Sequence, residues 1–487
     1  MTTVAIIGAG PSGLTAAKAA LECKLEPVVF EKANSVGGLW RPVNGAVWDS
    51  MRTNLSYHSC SFSDMPWAAP SHNFPLQSEV FDYLKRYAEQ NKITPHIQFE
   101  AETTRVTRSR EKWRVEWIQK GRFYTKDFDF LIVASGIFSK AYIPKIQGIE
   151  SFLGPLLHTQ QYKNPHNFKD KVVAVIGAGF SGTEIAAELS VSAKQTLHIA
   201  RQAMWVLPRD LPVGNKTLPL DLVFYSRQSS AKTKNAPPEV KNEGIFNWFK
   251  NLTKQHEISP DLKVTSAPKD PSYVAISDTY VSQVKAGKID LVRSRVREII
   301  GNTLLFEDGR KAVVDALVFA TGYECSVPFL DDDQLKILNY KPEDHLQPVL
   351  LHKTVFHPNL PNMAFVGMYR GPYFATMELQ ARLACHVFSK IVPTPTSQVM
   401  EQGIVAERQI REQHPRPQFP HGNYVEFADE LAELAGVLPD LDKLKVSDPA
   451  LYTKLWEGPT IAAHYRLNGH ASNPNIALPL IDAVRIS

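Results

Sequence analysis

The chain has 487 residues, of which 44% are hydrophobic and 21% are charged, and its formal net charge is +4. This balance is typical of a globular protein with more than one domain, and it excludes extensive disorder and a basic nucleic-acid-binding surface. The four cysteines lie far apart without a CxxC pair, so we expect no disulfide scaffold, metal site or dithiol redox centre. No apolar run approaches the roughly 20 residues that cross a bilayer, and we therefore expect a cytoplasmic protein without a transmembrane segment.

The first 31 residues have the pattern of a strand, a glycine-rich turn, a helix and a second strand. The apolar run Thr3–Ile7 precedes the turn, and an alanine-rich stretch with helical spacing follows it. In such a turn the glycines permit a tight bend close to a pyrophosphate, and the helix N-terminus favours an anion. The turn consists of Gly8, Ala9, Gly10, Pro11, Ser12 and Gly13.

The same pattern recurs in the middle of the chain. The run Val172–Ile176 leads into a second glycine-rich turn, a helix and a strand at residues 196–200. The candidate nucleotide-binding residues here are Gly177, Gly179, Ser181, Gly182, Thr183 and Glu184. The repeat predicts two dinucleotide sites.

The residue after the second strand differs between the two units. In the first unit it is Glu31, whose carboxylate would bind a ribose diol and repel a 2′-phosphate. In the second it is Arg201, whose guanidinium matches phosphate oxygens. This difference favours FAD at the first site and NADPH at the second, although a solvated acid and a surface arginine remain the alternatives.

The fold class that follows is α/β, with two Rossmann-like dinucleotide-binding domains of which the second is inserted into the first. We expect the FAD domain at residues 1–165, the NADP domain at 166–324, and a return to the FAD domain with a C-terminal wrap at 325–487. Residues 205–271 have weak periodicity and predict an irregular insertion with short helices, one of them near 240–254. Other expected elements are a meander around Trp113, a strand pair at 304–306 and 316–319, and a return strand within 360–367.

The segment between the two units contains a more specific motif. Phe152, Gly154, His158 and Tyr162 resemble the FxGxxxHxxx(F/Y) signature of the flavin-containing monooxygenase family, class B flavoprotein monooxygenases. The sister Baeyer–Villiger enzymes carry tryptophan where this chain has Tyr162. Further matches extend over nearly the whole chain: Gly37 to Trp40, Thr53-Asn54, Phe62 to Asp64, Ala320 to Tyr323, Glu378 to Arg382, and Tyr465 to Leu467. The chain departs mildly from the family at Ser135 and Thr159.

The resemblance implies an enzyme that uses FAD, NADPH and dioxygen to oxygenate a soft nitrogen or sulfur nucleophile of a small molecule. In the family, NADPH reduces the flavin, and a flavin C4a-hydroperoxide then transfers one oxygen atom. The resemblance makes Asn54 the candidate catalytic residue; without it, an asparagine in a serine-rich turn is the better interpretation. It also adds Gly38, Leu39, Trp40, Thr53, Gln380 and Asn54 itself to the FAD-binding candidates.

Two alternative functions stay open. A Baeyer–Villiger enzyme would oxygenate ketones, and an NADPH oxidase or flavin reductase would release hydrogen peroxide without oxygen transfer. A homodimer is also left open. His158 and Tyr162 are interpreted as residues that orient the domains or line the nicotinamide channel, with a packed histidine as the default.

Overall fold

The computed structural model describes residues 1–484 except Ala69 and Ser71. Its strands, in chain order, are β1 (Thr3–Ile7), β2 (Glu26–Phe30), β3 (Ile97–Gln98), β4 (Ala101–Ser109), β5 (Lys112–Gln119), β6 (Arg122–Phe128), β7 (Phe130–Val133), β8 (Lys140–Ala141), β9 (Leu156–His158), β10 (Val172–Ile176), β11 (Gln195–Ile199), β12 (Trp205–Leu207), β13 (Asp210–Val213), β14 (Lys216–Pro219), β15 (Val274–Ile276), β16 (Ile289–Val292), β17 (Val296–Ile300), β18 (Thr303–Phe306), β19 (Lys311–Val313), β20 (Ala316–Phe319), β21 (Tyr323–Glu324) and β22 (Met363–Phe365).

The helices are α1 (Pro11–Glu22), α2 (Gln77–Gln90), α3 (Phe180–Ser192), α4 (Leu220–Phe224), α5 (Arg227–Thr233), α6 (Pro238–Thr253), α7 (Gln255–Ile258), α8 (Tyr280–Lys285), α9 (Asp332–Ile337), α10 (Tyr373–Phe388), α11 (Ser397–Glu412), α12 (Tyr424–Leu434), α13 (Leu441–Ser447), α14 (Pro449–Trp456) and α15 (Pro474–Ala483). Among the described residues, no helix combines the length and the apolar character that crossing a membrane requires.

The first unit is a parallel sheet of five strands in the order β22-β7-β1-β2-β3. Strand β1 is central, and its β-branched and apolar side chains are buried on both faces, as parallel sheets require. Pro11 is the first residue of α1, where its missing N–H leaves no helical hydrogen bond unmade. The expected meander is the antiparallel sheet β4-β5-β6.

The second unit repeats this architecture. Its sheet has the order β9-β20-β10-β11-β16, also parallel, with α3 after the central strand and the meander β17-β18-β19. The two Rossmann-type units and their insertion topology are therefore confirmed. The domain boundaries stay a prediction; β9, at residues 156–158, already pairs with β20 in the second sheet, before the expected boundary at 165.

Two expectations about the second unit were only partly right. Both strands exist but do not pair with each other, and the helix expected near 240–254 is α6, within a more regular insertion. Residues 304–306 lie in β18, which pairs with β17 and β19, whereas residues 316–319 form β20 beside β10. The insertion is also more regular than its weak periodicity suggests. It contains the β13-β14 hairpin and α4 to α7, and β12 pairs with β15 across nearly 70 residues, a contact that no local pattern signals.

The chain returns to the first unit as expected. Strand β22 joins the sheet beside β7, and α10 packs along α1 with all its residues after Tyr373 buried. Arg466, which is 1% exposed, then binds Glu22 at 3.1 Å, Glu378 at 3.0 Å and Asp64 at 3.6 Å. Several matched motifs therefore form one buried ion network that attaches the C-terminal segment to the first unit.

Candidate active site

The first glycine-rich turn has little room for side chains. Gly8 has φ +104°, and a β-carbon there would lie 2.7 Å from the carbonyl oxygen of Ala134. A β-carbon on Gly13 would lie 1.8 Å from the oxygen of Gly8. Gly10 is the N-cap of α1 and offers no side-chain cap, so the amides of the first helical turn point into the turn without an internal acceptor. These amides form an anion site.

A second backbone segment faces this turn. Gly38 has φ +55° and begins a short 3₁₀ helix, Gly38–Trp40, whose side chains are half-buried. A β-carbon on Gly38 would lie 2.9 Å from the α-carbon of Gly10. The bare backbones of both glycines therefore form a narrow cradle, as an extended cofactor requires.

Glu31 fixes the end of β2 against the turn. The side chain is 6% exposed, and one carboxylate oxygen accepts the backbone N–H of Ala9 at 2.8 Å. The other accepts the N–H of Ala33, also at 2.8 Å. A carboxylate has about four acceptor positions, so two remain for a ribose diol.

Two further candidates of the first unit lie deeper. Ser12 Oγ contacts the Met377 sulfur, and a β-carbon on Gly367 would lie 2.2 Å from this oxygen. Gln380 is fully buried; its Oε1 accepts the Gly367 N–H at 2.8 Å and its Nε2 donates to Thr354. Gln380 thus holds Gly367, which packs against Ser12 of the turn, and both ends of its amide are already hydrogen-bonded.

The second glycine-rich turn has the same backbone contacts at its first and last glycines, but the space around its middle glycine is more open. Gly177 has φ +118°, and its β-carbon would lie 2.3 Å from the Ala320 oxygen. A β-carbon on Gly182 would lie 2.0 Å from the Gly177 oxygen, but one on Gly179 would meet no described heavy atom within 4 Å. Of the neighbouring candidates, Ser181 and Glu184 are half-buried, and Thr183 Oγ1 donates to the Gly179 oxygen at 3.2 Å.

Arg201 is exposed at the end of the second unit's β11 and borders a cleft of about 580 Å³. Arg293 and Arg295 line the same cleft, together with Glu307 and Asp308. Arg293 donates to the Gln202 carbonyl at 2.7 Å, which fixes it beside the strand end. The two additional arginines were not predicted, because they follow β16, about 90 residues after Arg201.

Asn54 lies in a turn that the second unit holds. The turn contains Thr53, whose carbonyl accepts Nε of Arg209 at 3.0 Å. Arg209 is 5% exposed and also binds Glu184 at 2.7 Å and Asp278 at 3.0 Å. The insertion thereby connects helix α3 of the second unit directly to the Asn54 turn.

A second clamp comes from Asp221 in α4, which is fully buried. Its carboxylate accepts the Ser56 N–H at 2.9 Å and the hydroxyls of Ser56 and Ser59 at 2.6 Å each. Burial raises the pKa of the Asp221 carboxyl above its usual range. The Asn54 amide itself is half-buried and has no hydrogen-bond partner among the residues that the structure describes. Arg209 and Asp221 therefore hold the turn, whereas the Asn54 amide is free for a ligand.

Comparison with known proteins identifies the family. Residues 1–475 match the family described as flavin-binding monooxygenase-like. The chain belongs to this family. Its members use FAD and NADPH, and as a monooxygenase the protein acts with dioxygen on a small-molecule substrate. The family resemblance seen in the sequence is confirmed.

Individual relatives cover most of the monooxygenase. Flavin-containing monooxygenase 5 of Oryctolagus cuniculus is 35% identical over 497 residues, covering 96% of this chain and 89% of the relative. The N-oxide-forming dimethylaniline monooxygenase 2 of Cavia porcellus is 33% identical over 491 residues, covering 96% and 88%.

Two solved structures share the fold. S-allyl-L-cysteine S-oxygenase from Allium sativum has a TM-score of 0.67 at 22% identity, covering 99% of this chain and 98% of that one. The open crystal structure of cyclohexanone monooxygenase also has a TM-score of 0.67, at 18% identity, covering 90% and 98%. At these identities the likeness concerns the fold alone.

The linker signature of the monooxygenase is a packing motif. His158 is 1% exposed; its Nε2 donates to the Gly322 oxygen at 2.9 Å, and burial lowers its pKa, so the ring is neutral near pH 7. The Tyr162 hydroxyl donates to Glu188 of α3 at 2.9 Å. A β-carbon on Gly154 would lie 2.1 Å from the Asp315 oxygen, and Phe152 packs against buried apolar residues of the second unit's sheet, among them Leu317 and Phe319. These contacts hold β9 against its sheet and α3.

Proposed function

We propose that this monooxygenase oxygenates a nucleophilic nitrogen or sulfur atom of a small molecule, using NADPH and dioxygen. One oxygen atom enters the product and the other leaves as water, with NADPH as the electron donor. When bound, FAD supplies the redox chemistry that activates oxygen. The observation that carries the proposal is the pairing of two nucleotide units with opposite charges at their strand ends. A relative named for N-oxide formation supports the nitrogen chemistry.

The first unit fits FAD. Gly8 and Gly13 allow the turn to close tightly, and the bare backbones of Gly10 and Gly38 leave space for a pyrophosphate. Glu31 keeps free acceptor positions for the ribose and would repel an added phosphate. We propose that Ala9, Pro11, Ser12, Leu39 and Trp40 border the flavin nucleotide, and that Gln380 acts on it through Gly367.

The second unit fits NADPH. The open space around Gly179 and the uncapped N-terminus of α3 suit a pyrophosphate that binds and leaves during turnover. Arg201, with Arg293 and Arg295 in the same cleft, would bind the 2′-phosphate. The flanking acids Glu307 and Asp308 limit the net positive charge, which favours an exchanging ligand over a permanently bound one.

Asn54 is the proposed catalytic residue. Its amide has two donors and one acceptor but no charge, so it can hold the nicotinamide or the reacting oxygen without attracting water. Arg209 and Asp221 fix the turn that carries it. Because Arg209 also binds Glu184 in α3, we propose that Arg209 and Asp221 align Asn54 with the NADP-binding unit.

Product analysis tests the proposal. Purified protein is mixed with NADPH and, separately, a tertiary amine, a thioether and a ketone, and the products and hydrogen peroxide are measured per NADPH consumed. We expect N-oxide or S-oxide to account for most of the NADPH. Ester formed from the ketone alone would show a Baeyer–Villiger enzyme, and peroxide equal to NADPH with every compound would show an oxidase.

Two finer predictions accompany this function. We expect a cytoplasmic location, which fractionation of the source cells would test. A homodimer stays a prediction, which sedimentation of the flavin-loaded protein would decide.

A further inference from the structure

Three potential metal ligands from distant parts of the chain meet beside the first unit. Cys23 follows the last residue of α1, His386 lies in the last turn of α10, and His470 lies in the C-terminal segment. One ligand atom from each lies within 4.8 Å of the other two. Among the described residues this is the one cluster of three or more cysteine, histidine or acidic side chains with such spacing.

Both histidine rings are held by backbone carbonyls. His386 Nδ1 lies 2.7 Å from the Ala435 oxygen, and His470 Nε2 lies 3.1 Å from the Glu22 oxygen. A carbonyl only accepts, so these nitrogens carry the protons and the other nitrogen of each ring keeps its lone pair. The two rings are perpendicular, with centroids 5.2 Å apart. Metal-binding histidines commonly have this arrangement, in which the second nitrogen donates to a carbonyl.

Protonation affects the metal-binding ability of the imidazoles and of the thiol in opposite ways. Burial lowers the pKa of His386 to about 4, so this ring is neutral at physiological pH. Burial raises the pKa of Cys23 to about 11, so the thiol keeps its proton until a cation displaces it. The charged and titratable groups nearby are Arg382, which donates to the His470 carbonyl at 3.0 Å, the Glu22 carboxylate with its partners Lys18 and Arg466, and the buried thiol of Cys385.

We propose that Cys23, His386 and His470 bind one zinc ion that fastens the C-terminal segment to α1 and α10. Thiolate sulfur and neutral imidazole are ligands that zinc prefers, and the thiol proton passes to solvent on binding. Ligand atoms around tetrahedral zinc lie about 3.5 Å apart, so separations of up to 4.8 Å must shorten when the ion binds. His470 is half-buried, which permits that movement and leaves the fourth position to water. The site is independent of the proposed oxygenation, because none of its residues contacts either glycine-rich turn in the structure.

Cobalt(II) is the probe for this site, because thiolate-bound cobalt absorbs in the near ultraviolet and bare thiols do not. The full, flavin-loaded chain is stripped with a chelator and titrated with cobalt(II), with difference spectra recorded against the untitrated protein. We expect a charge-transfer band that saturates at one equivalent and disappears on addition of zinc. Because a proton is released, apparent affinity should rise with pH.

Variants assign the ligands. Cys23→Ser should abolish the band, and His470→Asn should weaken cobalt binding at least tenfold. Cys325→Ser is the matched control, since it removes a buried thiol from a separate core and should leave the band unchanged. A titration without a thiolate band, or a band that survives Cys23→Ser, would overturn the proposal. If Cys23→Ser does not fold, the His470→Asn titration decides alone, because that side chain is half-exposed.

Discussion

The two nucleotide units share a frame and differ in what they would hold. In both, the first glycine of the turn lies against the carbonyl of the residue that follows the neighbouring strand, Ala134 or Ala320. The first unit is closed, because Gly10 faces Gly38 and Glu31 is buried and bonded to the turn. The second is open around Gly179, and Arg201 is exposed. The tight backbone turn therefore follows from the fold. Which cofactor binds, and for how long, depends on a few residues that border the cofactor space.

The largest expected effect distinguishes a glycine that the fold requires from a glycine that borders the cofactor space. Gly177→Ala places a methyl group against a backbone oxygen at φ +118° and should destabilise folding by about 3 kcal/mol. Gly179→Ala is its control, since φ is −78° and the methyl group meets no described atom. Thermal unfolding should change only in the first variant, and NADPH affinity should fall in the second. Equal stability of both would contradict the frame assignment.

Asn54→Ala should remove the product while leaving the flavin bound, because the amide has no partner among the described residues. NADPH consumption should continue, with hydrogen peroxide replacing most of the N-oxide or S-oxide. The product and peroxide yields per NADPH measure this directly. A variant with unchanged product yield would remove Asn54 from the mechanism.

Glu31→Gln tests the closed unit. The substitution keeps the shape but weakens two charged hydrogen bonds, so FAD affinity should fall about 10- to 100-fold. Flavin fluorescence during dilution measures the release. Glu26→Gln, an exposed acid at the start of the same strand, should have no effect. Equal flavin loss in both variants would exclude a specific role for Glu31.

Arg201→Ala tests the open unit. The preference for NADPH over NADH should narrow about tenfold, because one charge-assisted contact to the 2′-phosphate is lost. Arg297→Ala, an exposed arginine of β17 that does not border the cleft, is the control. An unchanged preference would transfer the role to Arg293 or Arg295.

Asp221→Asn tests the link between the units with the smallest expected effect. Weakening one of three hydrogen bonds by about 1 kcal/mol should reduce product per NADPH by up to about fivefold, without loss of FAD. A merely structural role would lower the unfolding temperature and leave this yield unchanged. Asp210→Asn, an exposed acid of the same insertion, provides the comparison.

The local features were predictable from the sequence, whereas the contacts between distant segments were not. In each unit the glycine-rich turn, the two strands and the residue that ends the second strand, Glu31 or Arg201, lie within about 30 residues of each other. A local sequence pattern is therefore enough to predict them. Arg209 and Asp221 contact the Asn54 turn across 156 and 165 residues, and each is a lone charged residue in a weakly periodic insertion. The parallel pairing of β12 with β15 could not be predicted for the same reason, because nearly 70 residues of weakly periodic sequence separate the two strands.

The proposed zinc cluster shows the limit most clearly. Spacing along the chain predicted no metal site, because Cys23 and His470 are separated by almost the whole chain. Ligands that come together only through packing of α1, α10 and the C-terminal segment leave no local signature. Family motifs such as Glu378 and Arg466 were found in the sequence, yet their structural role in the buried ion network required the fold.

The central claim is that opposite charges at two equivalent strand ends select FAD and NADPH. The most direct measurement determines the bound flavin of the purified protein and then its dissociation constants for NADPH and NADH. We predict one FAD per chain and a clear preference for NADPH. A colourless protein that cannot be loaded with flavin, or equal affinity for both nicotinamide cofactors, would contradict the account.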